Sequence, residues 1–222
     1  MQNIEIKSLF DLNHTVAAGL FDGKRYPWEV LGDIKGFIPR LGATLDPERF
    51  DHPAPDIWIA KSAKIAPTAS LNGPLIVDED AEIRHCAFVR GSAIVGKGAV
   101  VGNSVELKNC VLFDGVQVPH FNYVGDSVLG HLSHMGAGSV TSNVRSDKRD
   151  IVVHAGAGIP TGRRKIGAML GDRAEIGCNS VLNPGAIVGR DCIVYPTSCV
   201  RGIVPEKHIY KSANDIVVRK EF

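Results

Sequence analysis

The sequence predicts an all-β fold: a parallel β-helix of hexapeptide repeats with a partly helical N-terminal cap, an extruded loop and a short C-terminal tail. Every sixth residue from Ile59 is apolar, ten times in succession: Ile59, Ile65, Leu71, Val77, Ile83, Val89, Val95, Val101, Leu107 and Phe113. Four positions after each stands a small or aliphatic residue in nine of the ten cases, Gln117 being the exception. The period returns at Leu170, Ile176, Leu182, Val188, Val194 and Val200. A helix repeats about every 3.6 residues and a strand every two, so a strict six fits neither. It marks a hexapeptide β-helix. Each hexad is then a short strand and a corner, and three hexads make a triangular rung. Residues one rung apart stack at about 4.8 Å, the ordinary strand spacing. The branched residue fills the prism, and the small residue fits a crowded corner.

Residues 1–56 lack the period. Pro27 stands where a helix can start, and Trp28, Val30, Leu31, Ile34, Phe37 and Ile38 give helical spacing. Residues 46–55, rich in Pro and Asp, read as a connector. The whole segment is expected to cap the first rung, because an open β-helix end exposes apolar side chains and unpaired backbone. The β-helix is placed at 57–204. Its phase is expected to slip near Pro119 and to resume at Leu129 and Met135. Residues 144–166 break the repeat again and predict an extruded loop, a place where solenoids carry function. Residues 170–204 make two further rungs. The tail, 205–222, contains Ile209, Ile216, Val217 and Val218 and predicts a closing strand or a cover for a neighbouring subunit.

The 222 residues carry 25 basic and 24 acidic side chains, a net charge of +1. That balance offers no electrostatic case for nucleic acid or an anionic membrane. No apolar run approaches the ~18 residues of a membrane span. The opening MQNIEIKSLFDLNH does not read as a signal peptide. Five cysteines without a CxxC spacing predict reduced thiols and a cytoplasmic protein. Cys192 falls on a small inward position, where a thiol acts as a small hydrophobe.

Arg90 and Lys108 each follow an inward residue, one rung apart, so they are expected to stack on one face. Two cations so close repel unless an anion lies between them, which makes a phosphate seat; the alternative is two solvated charges. His120 stands at the expected slip and can accept a proton near neutral pH. Glu106 can orient it by a hydrogen bond.

The segments NSVELK (103–108), VPHFNYVGD (118–126) and MGAGSVTSN (135–143) resemble the acetyltransferase domain of bacterial bifunctional N-acetylglucosamine-1-phosphate uridyltransferase/glucosamine-1-phosphate acetyltransferase, within the hexapeptide-repeat acyltransferase superfamily. The resemblance covers roughly 83–204. It implies a left-handed β-helix, against the usual crossover rule, and a homotrimer with sites between subunits. It implies an acetyl-CoA-dependent N-acetyltransferase of an amino-sugar phosphate that needs no metal. His120 matches the general base and Glu106 the acid beside it. Arg90, Lys108 and Lys165 match residues that hold the sugar phosphate; Tyr123 and Asn143 match residues that contact the sugar. The chain departs from the family at His134, Cys178 and Pro196, positions bordering the sugar and CoA sites, so Cys178 and Pro196 are expected beside the co-substrate. The loop after Asn143 is also longer, and its Arg163, Arg164 and Lys165 can clamp a phosphate or lie in solvent. No Gly-rich nucleotidyltransferase signature precedes residue 57, so uridylyl transfer is not expected. Two other readings stand beside this one. One is a non-catalytic module binding sugar phosphate or nucleotide sugar. The other is a zinc enzyme of the γ-carbonic-anhydrase type, using His120, His131, His134 or His154.

Overall fold

A computed structural model describes residues 4–220. They form the expected parallel β-helix, with three columns of short strands. The first column holds Ile57–Ala60, Leu75–Val77 and Ala93–Val95, the far halves of Glu106–Leu112 and Tyr123–Leu129, then Ala168–Leu170, Ala186–Val188 and Ile203–Val204. The second runs from Lys64–Ile65 through Val100–Asn103, Gln117–His120, His134–Met135 and Glu175–Ile176 to His208–Ser212. The third contains Phe88–Val89, the near halves of Glu106–Leu112 and Tyr123–Leu129, then Val140–Thr141, Val181–Leu182 and Cys199–Val200. The inward residues are half-buried in the first rung, at Ile59, Ile65 and Leu71, and buried beyond it, Val77, Val89, Val95, Val101, Leu107, Leu182 and Val200 among them at 0% exposure.

The phase slips earlier than Pro119. Leu107 pairs with Val89, one full rung of eighteen, whereas Cys110 pairs with Ala93, a rung of seventeen. The reason is the corner between them. One rung turns on two positive-φ residues, Gly91 and Ser92, and the next turns on Asn109 alone (φ 50°). Leu112 therefore takes the inward place beside Val95. Phe113 leaves the interior and is buried instead against Phe10 and Phe21, with ring centroids 5.2 and 5.7 Å away.

Those two aromatics belong to the N-terminal segment, which does not cap the end of the prism. It lies along the first column. The middle residues of that column, Ile76, Ile94, Val111, Val128, Met169 and Ile187, point outward by strand alternation and are all apolar. All are buried, at 1% exposure or less. A sheet apolar on both faces needs a cover. The helix Ile34–Gly42 packs on Leu75–Val77, Ala93–Val95 and Glu106–Leu112, and the 3-10 helix Pro27–Gly32 packs on Tyr123–Leu129. Backbone bonds continue the strap: Asp114 N–H donates to the His14 carbonyl and Asp172 N–H to that of Leu9, both 3.0 Å. The prism end is closed instead by part of the expected connector. Phe50–Ala54 is a strand antiparallel to Ile57–Ala60, and Pro53 is tolerated there because the strand is an edge.

The 144–166 segment leaves the ladder between Tyr123–Leu129 and Ala168–Leu170, and its base folds back on the prism. Val152–Val153 and Ile159–Pro160 form a hairpin folded back on the prism, with Ile151 and Val153 buried and Ile151 lying over Gly185. The tail supplies the closing strand. His208–Ser212 extends the second column in parallel and is sealed by antiparallel Asp215–Val218. Cys192 is buried as expected, its thiol donating to the Pro205 carbonyl at 2.8 Å.

Candidate active site

One edge of the prism carries a column of left-handed corner residues: Cys86, Ser104, Phe121, Gly138, Asn179 and Thr197, with φ between 53° and 73°. Successive rungs are tied there by backbone bonds. Phe121 N–H donates to Asn103, Gly138 to His120, Asn179 to Ala137 and Thr197 to Cys178. The residues just before the corners thus form one line, and His120, Cys178 and Pro196 all stand in it, each exposed to solvent. The His120 backbone N–H is held by Asn122 Oδ1 at 3.1 Å. Its imidazole has no side-chain partner among the described residues.

The next edge carries a polar cluster. Asp126, 4% exposed, sits at its own left-handed corner (φ 48°). Its carboxylate accepts from Lys108 Nζ at 3.0 and 2.9 Å, from Asn109 Nδ2 at 2.9 Å and from Asn143 Nδ2 at 2.6 Å. Asn143 also donates to the Tyr123 hydroxyl at 3.1 Å. Burial, with the Asp126 and Glu106 charges, pushes the Tyr123 phenol above its usual range. Gly125 leaves the space its ring occupies. Three resemblance-derived residues, Lys108, Tyr123 and Asn143, are therefore joined through a fourth that sequence reasoning passed over. Asp126 was visible only as the last letter of VPHFNYVGD; its role depends on the corner that turns it inward.

Arg90 lies on the face between these two edges, but not as a bare cation. Its Nη1 donates to Glu106 Oε1 at 2.8 Å. The expected cationic seat is thus two ion pairs on adjacent rungs, Arg90–Glu106 and Lys108–Asp126. Glu106 is turned toward Arg90 and does not hydrogen-bond His120. Lys165 is exposed at the root of the folded loop, bridged through backbone to Val144, next to Asn143. Arg163 Nη2 donates to the Glu29 carbonyl at 3.3 Å and pins the loop to the N-terminal strap. Among the described residues Arg164 makes one long contact, with Asp150 at 3.9 Å.

The other histidines do not converge with His120. His131 stacks on His14 at 3.7 Å between centroids and bonds the Asp114 carbonyl through Nδ1. His134 Nδ1 lies 2.8 Å from Glu175 Oε2. Among the described residues no three His, Cys, Asp or Glu side chains are grouped to hold a metal within the chain. Burial pushes the Cys110 thiol up to about 12, which removes it as a nucleophile. Among the described residues no helix is long and apolar enough to cross a membrane.

The family described as the GMPPB C-terminal domain matches residues 71–217. Bifunctional protein GlmU of Methanococcus maripaludis is 27% identical over 221 residues, covering 91% of this chain and 50% of that protein. The bifunctional sugar-1-phosphate nucleotidylyltransferase/acetyltransferase of Sulfurisphaera tokodaii is 31% identical over 160 residues, covering 64% of this chain and 40% of that one. The chain spans half or less of the length of these curated relatives. PerB of Caulobacter crescentus, solved with CoA and GDP-perosamine, is 20% identical with a TM-score of 0.27, covering 69% of this chain and 52% of that one.

Proposed function

Because the chain belongs to the family described as the GMPPB C-terminal domain, and relatives of its β-helix are bifunctional proteins with an acetyltransferase in one name, we propose that it is an acetyl-CoA-dependent N-acetyltransferase acting on an amino-sugar phosphate. The observation that carries the reading is the relation of the two edges. An unpartnered, solvent-facing His120 stands one short strand from the Lys108–Asp126–Asn143–Tyr123 cluster, with the Arg90–Glu106 pair between them.

An ammonium cannot attack a thioester, so a base must free the amine lone pair. His120 is the side chain placed to take that proton. Tyr123 and Asn143 offer a hydroxyl and an amide to a sugar. Arg90 and Lys108 keep donors to spare. A guanidinium carries five and Glu106 occupies one of its nitrogens, while Lys108 spends its bonds on one carboxylate. A sugar phosphate can therefore join each pair without breaking it. Cys178 and Pro196, in line with His120, border the path of the CoA arm. Acetyl transfer forms the amide, expels the CoA thiolate and leaves the amine proton on His120. One prism face cannot enclose a CoA-sized molecule, so the working unit is a homotrimer with acetyl-CoA in the groove between prisms. All five thiols are free, in keeping with a cytoplasmic setting.

The test is thiol release from acetyl-CoA in the presence of glucosamine-1-phosphate and related amino-sugar phosphates. The expected result is turnover that His120→Ala lowers by at least a hundredfold. Equal rates for both proteins would refute the base assignment. Tight sugar-phosphate binding without thiol release would favour the second reading, a non-catalytic binding module. That reading draws on the two ion pairs, which already neutralise Arg90 and Lys108.

A further inference from the structure

Two rungs before His120, on the same edge, the structure places a thiol, an imidazole and a hydroxyl in contact. Cys86 occupies the left-handed corner position (φ 57°) directly above Thr68, so its side chain projects into solvent. Its Sγ lies 3.2 Å from His85 Nε2. The other ring nitrogen, His85 Nδ1, lies 2.7 Å from Thr68 Oγ1, and the Cys86 backbone N–H donates to the same oxygen at 3.3 Å. All three residues are exposed. A nucleophile in reach of a base, with the base oriented by a third group, is the arrangement that activates a nucleophile. With Nδ1–H donating to Thr68 Oγ1, which also accepts from the Cys86 amide, Nε2 is left facing the thiol as the acceptor of its proton. An open groove of about 500 Å³, lined by Lys64, Glu82, Arg84 and His85 among others, leads to the cluster.

We propose that Cys86 is a base-assisted reactive thiol and a modification site that accepts low-molecular-weight disulfides. The thiol proton passes to His85 Nε2. The thiolate attacks one sulfur of the disulfide, a new S–S bond forms with Cys86, and the reagent's S–S bond breaks with its electron pair leaving on the departing thiolate. The incoming disulfide is the oxidant, and one of its sulfurs is released reduced. The chain carries its own controls. Cys178 and Cys199 are also exposed, but among the described residues neither bonds an imidazole; Cys199 Sγ accepts from the Asn183 amide at 3.2 Å. The charged and titratable groups around the site are His85, Arg84, Glu82 and Lys64, and Arg84 and Glu82 are paired with each other at 2.9 Å.

The experiment treats the whole reduced protein with oxidised glutathione at neutral pH and follows each cysteine by peptide mass spectrometry. Cys86 is expected to form its mixed disulfide at least ~10-fold faster than Cys178 and Cys199. His85→Ala should bring its rate within about twofold of Cys178, and Thr68→Val should give an intermediate loss, with melting curves confirming that both variants are folded. Reaction of Cys86 no faster than Cys178, or a rate unchanged in His85→Ala, overturns the proposal. The adduct lies two rungs, about 10 Å, from His120.

Discussion

Replacing Asp126 by alanine tests the cluster most directly. The Asp126 side chain is 6% exposed and the Lys108 side chain 26%, so the pair is a largely buried one. Alanine strands Lys108 without its only carboxylate and removes one acceptor each from Asn109 and Asn143. The amides keep second acceptors, the Leu31 carbonyl and the Tyr123 hydroxyl, so most of the loss falls on Lys108. Breaking a buried pair from one side costs about 3–5 kcal/mol, and the exposure of Lys108 puts this site near the lower end, about 3 kcal/mol. At roughly 2–4 °C per kcal/mol for a chain of this size, the melting temperature should fall by about 6–12 °C. Lys108→Met should cost a similar amount, because it leaves a buried carboxylate. The double variant should recover part of the loss, with a coupling of about 1–3 kcal/mol. Calorimetry of the four proteins decides the matter. A drop below about 2 °C in Asp126→Ala, or strict additivity in the double variant, would show that Asp126 does not organise the cluster.

Other consequences are as definite. Gly102→Ala should destabilise by about 2 kcal/mol or more, since its methyl would collide with the backbone of Pro119 on the next rung; urea unfolding measures it. Ile94→Ala, at the centre of the outward apolar stripe, should cost about 2–5 kcal/mol and speed proteolysis of the N-terminal strap over the β-helix. Burial pushes the Asp172 carboxyl above its ordinary value of 3.8. Its folded form holds the proton more tightly, so its contribution is greatest below pH 3.8 and is lost as pH rises through the folded value. Asp172→Asn should therefore gain on the wild type between about pH 4 and neutrality in thermal melts, and a constant difference across that range would contradict the assignment.

The period of six determined the fold on its own. It needs only the alternation of prism-filling and corner residues, which is local and repeats along the chain. The resemblance carried by the motif series around His120 named Lys108, Tyr123 and Asn143, and the structure joins those three through Asp126. What the sequence could not decide was anything set by a single corner or by contacts between remote segments. The loss of one residue at Asn109 moved Phe113 out of the interior, the corner at Asp126 made that residue the hub of the site, and Glu106, still in register before the slip, bonds Arg90 and not His120. The outward stripe of Ile76, Ile94, Val111, Val128, Met169 and Ile187 was legible in hindsight, but a stripe names no cover. Only tertiary structure showed that the strap from Leu9 to Gly42 lies on it and that Arg163 ties the loop to that strap. A repeat dictates short-range register; the pairing of distant surfaces depends on which apolar areas meet, and that is a property of the assembled prism.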